Sequence, residues 1–286
     1  MTPTMTHLPH RGVIEIQGED KATFLQGLIS NDIQLVTPER TIYATLLNPQ
    51  GRFLYDFFIM EKDGSYLLDV EAARLEALLK KLSLYKLRSK VTLTPRPDRQ
   101  VFAVWGDSVA ATLDLPVEAG AAHNGIFMDP RLVELGVRAM SKDSLKDFQA
   151  TTPQDYDLHR LKLGVPEGGK DLIPERAILL ESGLDELNAI SWTKGCYMGQ
   201  ELTARTKYRG LVRKRIFPVI IEGKAPEIGT EVLLGGESVG EMRSHNTSNG
   251  LALLRVEAVK PQSEFVCGDA LLKPYIPVWM RLEDPS

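Results

Sequence analysis

Cysteine is scarce in this chain of 286 residues: Cys196 and Cys267 are the only two, 71 positions apart and with no C-x-x-C pair. That scarcity excludes a disulfide scaffold and any ordinary four-thiolate zinc or iron-sulfur site within one chain. Histidine is also sparse. His7, His10, His123, His159 and His245 form no i,i+4 pair and none neighbours a cysteine, so metal-ligand spacing is missing and no resident metal is expected. No apolar run approaches the roughly 20 residues that span a bilayer, and the opening residues lack a signal peptide's apolar stretch and a transit peptide's Arg- and Ser-rich face. A bacterial cytosolic location is expected, or the mitochondrial matrix for a eukaryotic chain with its leader removed. There is no phosphate loop and no G-x-G-x-x-G after a strand, which removes the commonest kinase and dinucleotide readings.

What is present is globular. Hydrophobic residues make up 43% and charged residues 25%, with 23 Gly and 17 Pro, values that exclude disordered and collagen-like chains. A net charge of -4 gives no overall attraction to nucleic acid or an anionic membrane, so any anion site must be local and neither is an expected partner. The length suits about two domains, or three small modules.

Residues 1–95 read as a first α+β module. Alternating apolar residues predict a strand over 13–18, Phe24, Leu25, Leu28 and Ile29 a helix, and Asn48-Pro49-Gln50-Gly51 the turn between strands 42–47 and 52–60. A strand over 65–70 and a helix marked by Leu75, Leu78, Leu79 and Leu82 follow. Thr94-Pro95-Arg96-Pro97 reads as a connector, because proline lacks the N–H that a helix or central strand needs. Residues 96–212 read as a second α+β module with strands over 101–105, 126–129 and 134–140 and an amphipathic piece near 107–113. Its helix after Thr152 and Pro153 carries an N-cap and a first-turn proline. Residues 165–195 lack long periodicity, and loops of that length are functional or disordered. Residues 213–286 turn all-β, with five short strands at even spacing that suggest a small sandwich or barrel.

The densest chemistry lies at Lys194-Gly195-Cys196-Tyr197-Met198-Gly199-Gln200-Glu201. If a helix begins at Tyr197, its dipole and the Lys194 ammonium favour a Cys196 thiolate, the recipe for a reactive cysteine; the alternative is a buried, inert thiol between glycines that allow tight packing. Seven cations fall between Lys194 and Arg215 against the single acid Glu201, either an anion site or a solvated face. Asp56 interrupts the apolar run Leu54-Tyr55-Asp56-Phe57-Phe58. Read alone, it is expected on the strand's solvent side; buried with a partner, it becomes a proton handler or ligand anchor.

The string K-G-C-Y-M-G-Q-E resembles the signature of the YgfZ-type folate-binding proteins, relatives of the glycine-cleavage T-protein (aminomethyltransferase). The resemblance extends to Gly18-Glu19-Asp20, Phe24-Leu25-Gln26-Gly27, Ser30-Asn31-Asp32, the hairpin from Leu46 to Asp56, and Gly236-Glu237-Ser238-Val239-Gly240. It implies a ring of two α+β modules and a C-terminal β-barrel around a hole that accepts tetrahydrofolate or a related reduced folate. It also implies a role in assembling or repairing iron-sulfur clusters of [4Fe-4S] enzymes, with carrier or scaffold proteins and client enzymes as partners. On that reading Cys196, Lys194 and Asp56 are the reactive groups, Cys196 touching a cluster transiently. Asp56, Tyr43, Tyr197, Gln200, Glu201, Arg205 and Arg213 are the expected folate contacts. One departure stands out: where T-proteins carry a pterin-holding glutamate, this chain has Lys162, which cannot accept those hydrogen bonds. Glycine-cleavage transfer is therefore not expected. A folate-dependent one-carbon transferase using Asp56 and an RNA-binding factor using Arg205 to Arg215 remain alternatives.

Overall fold

The computed structural model describes residues 3–210, 212–261 and 263–282. Two sheets face each other, and the carboxyl-terminal quarter closes as a barrel. The first sheet is antiparallel, in the order Ile42–Leu47, Phe53–Lys62, Ser65–Glu71, Arg11–Gln17, Thr92–Pro95. Its outer face packs on the helices Lys21–Gln26 and Leu75–Lys86 through Phe24, Leu25, Leu78 and Leu82. Its inner face, with Tyr43, Phe58, Met60 and Leu67, meets Val101, Ala103, Phe127 and Met140 of the second sheet. Core on both faces is why Phe53–Lys62 is nearly all apolar rather than alternating.

The second sheet runs Gln149–Ala150, Thr4–His7, Gln100–Trp105, Val137–Ser141, Ile126–Met128, Ala122–His123. Thr4–His7 pairs antiparallel with Gln100–Trp105, so the first described strand of the chain belongs to the second sheet although it precedes the whole of the first. The connector at Thr94 and Pro95 is corrected: Thr92–Pro95 is an edge strand, Pro95 lying opposite Ile14, and an edge is where a ladder tolerates a missing donor. The strand expected over 134–140 starts later, at Val137, because Val133–Leu135 forms a 3-10 turn ended by Gly136 at φ 85°. The helix Pro153–Lys162 starts as read: Thr152 and Asp155 form a reciprocal capping box.

Residues 165–195 are not a loose loop. They hold little regular structure beyond the 3-10 turn Leu180–Ser182, yet Val165, Leu172, Leu179, Leu184, Leu187 and Ala189 are fully buried in the core shared by the two sheets. Backbone bonds from Phe53 to Ala177, Glu175 to Phe53 and Ser191 to Ser30 tie the segment to the first module. The final strands close as a six-stranded barrel, Lys214–Gly223, Asn249–Arg255, Glu237–His245, Glu231–Leu234, Phe265–Cys267, Ala270–Pro274, the last not foreseen. Phe217, Val232, Met242, Leu254 and Phe265 fill it. Gly236 to Gly240 also has G-x-S-x-G spacing, but it enters and runs along a barrel strand instead of a strand-to-helix turn. Ser238 donates to Glu231, and no nucleophile elbow forms.

Candidate functional site

Three local anchors shape the cysteine loop. Lys194 is buried, and its Nζ donates to the carbonyl oxygens of Gln26 (2.7 Å), Ile29 (2.8 Å) and Asn31 (2.8 Å), which uses all three of its protons. Burial pushes this ammonium down to about 8, against the opposing pull of Asp32. Tyr197 is buried in the central core, and the Lys194 ammonium sits 5.2 Å from the centre of its ring. Met198 N donates to Gly27 O at 3.1 Å. With Lys194 and Tyr197 drawn inward and touching each other, Gly195 and Cys196 between them are forced out, and Cys196 is exposed.

The expected source of thiolate character is corrected. The helix is Gln200–Arg209, with Gly199 as N-cap in the left-handed region at φ 81°, so Cys196 lies three residues ahead of the cap, and a helix dipole fades within its first turn. Lys194 is spent on carbonyls of the first module and is a positioning residue, not a catalytic one. Gly199 also lies against the hairpin turn: a Cβ there would stand 2.5 Å from Asn48 O and 3.0 Å from Gly51 Cα. Replacing Lys194 with Met should cost about 3 kcal/mol, the scale set by leaving buried acceptors without a donor, read as a lower urea midpoint at unchanged slope.

Asp56 is not on a solvent face. It is 3% exposed, accepts from the Tyr43 hydroxyl at 3.0 Å, and lies 4.0 Å from Arg11 Nη1. Burial, followed by the negative charge of Asp56, raises the Tyr43 phenol well above its usual value, so Tyr43 stays a donor. Asp56 belongs to a buried network joining the two sheets. Arg11 Nε meets Asp69 Oδ1 at 2.6 Å, Arg138 bridges Asp69 (2.7 Å) and Asp129 (3.2 Å), and Arg131 holds Asp129 through Nε (3.0 Å) and Nη2 (2.8 Å). The three guanidinium carbons stand 4.3 to 5.9 Å from the centre of the Phe58 ring. Three arginines and three aspartates balance.

The Asp56 carboxylate is crowded. Gly168 packs directly on it, so that an added Cβ would fall 1.8 Å from Asp56 Oδ1. The same segment is pinned by Glu167, which meets His10 at 3.0 Å and Lys170 at 2.9 Å, and by Asp171, held by Arg160 at 2.7 Å and by Ser244 N. Lys162 is exposed, facing away from this interior.

The other expected contacts are scattered. Gln200 is half-buried at the start of its helix, while Glu201, Arg205 and Arg213 are exposed. The basic stretch divides: Lys207 pairs with Asp185 and Arg215 with Glu186, whereas Arg209 and Lys214 face solvent. Sequence reasoning missed Arg11, Asp69, Asp129, Arg131 and Arg138. The signal that singled out Asp56, a charge inside an apolar strand, was equally present at Asp69 in Ser65–Glu71 and Arg138 in Val137–Ser141.

Comparison with known proteins agrees with this architecture. Residues 4–129 match the GCVT N-terminal domain and residues 213–282 the CAF17 C-terminal beta-barrel domain. The crystal structure of glycine cleavage system aminomethyltransferase T from Bartonella henselae superposes with a TM-score of 0.75 over 95% of this chain and 84% of that one; at 15% identity the likeness is one of fold. The mitochondrial iron-sulfur cluster assembly factor IBA57 of Mus musculus is 39% identical over 285 residues, 90% of this chain and 79% of the relative. The Homo sapiens protein is 39% identical over 280 residues, 88% and 78%. The Neurospora crassa homolog is 38% identical over 245 residues, 78% and 55%. These relatives replace the YgfZ assignment with a neighbouring branch of the same fold. The chain belongs to the IBA57 family of iron-sulfur cluster assembly factors.

Proposed function

We propose that this protein assists iron-sulfur cluster assembly by presenting the Cys196 thiol as one ligand to a cluster whose other ligands come from a partner. The observation that carries this reading is the exposed Cys196 between two buried anchors, Lys194 and Tyr197. A thiolate is a soft ligand suited to iron, and clusters of the usual kind are held by four. One chain offers too few. Cys267 lies inside the barrel, its thiol pushed up to about 11 by burial, and among the described residues no three His, Cys, Asp or Glu side chains are placed to hold a metal ion. The cluster is cargo, and the partner is a thiol-bearing carrier or scaffold serving client [4Fe-4S] enzymes. Iron and sulfide titrated into the isolated protein should give no stoichiometric chromophore, and should give one when such a carrier is added. One stable cluster per isolated monomer overturns the reading.

Reduced folate is not assigned to Asp56 in this proposal, because Gly168, Tyr43 and Arg11 already crowd that carboxylate. Equilibrium dialysis with tetrahydrofolate should give the same result for the native protein and Asp56→Asn. A selective loss of binding in the variant would restore the folate reading and, with it, one-carbon transfer. The RNA alternative is weakened by the commitment of Lys207 and Arg215 to carboxylates. The relatives' names state a mitochondrial location, and we carry that compartment over as part of the same reading.

A further inference from the structure

A cavity of about 470 Å³ lies between the segment around Asp185 to Trp192, the helix Gln200–Arg209 and the barrel, away from Asp56. Its volume falls in the range of small-molecule sites. Its walls are of two kinds. Leu180, Val212 and Val256 line it with aliphatic surface, and Trp192 adds an indole fixed by a 2.6 Å bond from Nε1 to Asp185. The polar wall is Asp185, Glu186, Lys207, Arg215 and Arg281.

The polar wall is nearly but not fully satisfied. Lys207 meets Asp185 at 2.6 Å and Arg215 Nη2 meets Glu186 at 2.5 Å, so these four charges cancel in pairs. Two features remain. Among the described residues that line the cavity, Arg281 adds one positive charge. Arg215 is 7% exposed, yet its Nε finds no acceptor among the described residues, and an unmet buried donor is costly. A carboxylate oxygen supplies that acceptor, and a single negative charge neutralises the surplus; the remaining volume, walled by Trp192 and aliphatic side chains, is far too large for a bare ion and suits a ring.

We infer that this cavity is a binding site for an aromatic or heteroaromatic monocarboxylate, held by Arg215 Nε and Arg281 at one end and by the wall of Leu180, Trp192, Val212 and Val256 at the other. It is independent of the cluster-ligand role of Cys196.

The test is calorimetric titration of the full chain with 1-naphthoate, alongside 1-naphthalenemethanol, which keeps the ring, and acetate, which keeps the charge. Naphthoate should bind one to one, each partial probe about tenfold weaker or more, as expected when a charge-assisted bond or the ring contact is lost. Arg215→Lys retains the ion pair with Glu186 but removes Nε, and Arg281→Gln alters an exposed side chain; each should weaken naphthoate by about tenfold without lowering the melting temperature. Naphthoate should quench tryptophan emission in the native protein and not in Trp192→Phe. The absence of one-to-one binding, equal affinity for the neutral ring, unchanged affinity in both arginine variants, or quenching that survives in Trp192→Phe overturns the assignment.

Discussion

Cells carrying Cys196→Ser should lose activity of a dependent [4Fe-4S] enzyme by roughly tenfold or more, the scale expected when an iron-ligating group is removed. The variant protein should stay folded. Cys196 is exposed, and its loop is held by Lys194 and Tyr197 on either side. Surface changes of this kind stay within about 0.5 kcal/mol. Loss of client activity with an unaltered melting curve separates a chemical role from a structural one. If the client enzyme keeps its activity in Cys196→Ser cells, the thiol is not the working group.

Arg138→Leu should have the largest effect on stability. The guanidinium is about 1% exposed and bridges Asp69 and Asp129 across the two sheets. Its removal leaves two buried carboxylates short of a cation, a change that costs roughly 3–5 kcal/mol, or about 10 °C in melting temperature for a chain of this size. Acid should expose the same weakness. Burial alone would raise the Asp129 carboxyl; Arg131, with help from Arg138, outweighs it and holds the group below its usual value. Glu167 is likewise depressed, its burial outweighed by His10, Lys170 and Arg160. For carboxyls lowered by folding, the stabilisation is complete above the unfolded values near pH 4 and is lost as pH falls through the folded ones. Circular dichroism against pH should place the acid transition of Arg138→Leu at a higher pH than that of the native protein.

The parts of the molecule legible in the sequence are those governed by neighbours along the chain. The hairpin at Asn48 to Gly51, the cap at Thr152 and most barrel strands follow from local turn chemistry and periodicity. The motif around Cys196 could be singled out from composition alone. What escaped depends on distant partners. Asp56 looked solvent-facing because alternation normally betrays the wet side of a strand, and Phe53–Lys62 has none, being packed on both. Lys194 looked like a neighbour for the thiol, yet its ammonium reaches Gln26, Ile29 and Asn31, more than 160 positions away. The segment 165–195 carried no period because it packs as irregular turns, with buried side chains that fit one place in the core instead of one face of an element.

Thr4 faces Trp105 across the second sheet, and this pairing bears on how the chain is made. On the ribosome Thr4–His7 emerges before its partner Gln100–Trp105 and must wait about ten seconds, at roughly 10 residues per second, for it. The first sheet can assemble in that interval while the strand ahead of it hangs as an unmated edge. The two α+β halves are thus not finished one after the other: the second is completed only by a strand synthesised ahead of the entire first sheet.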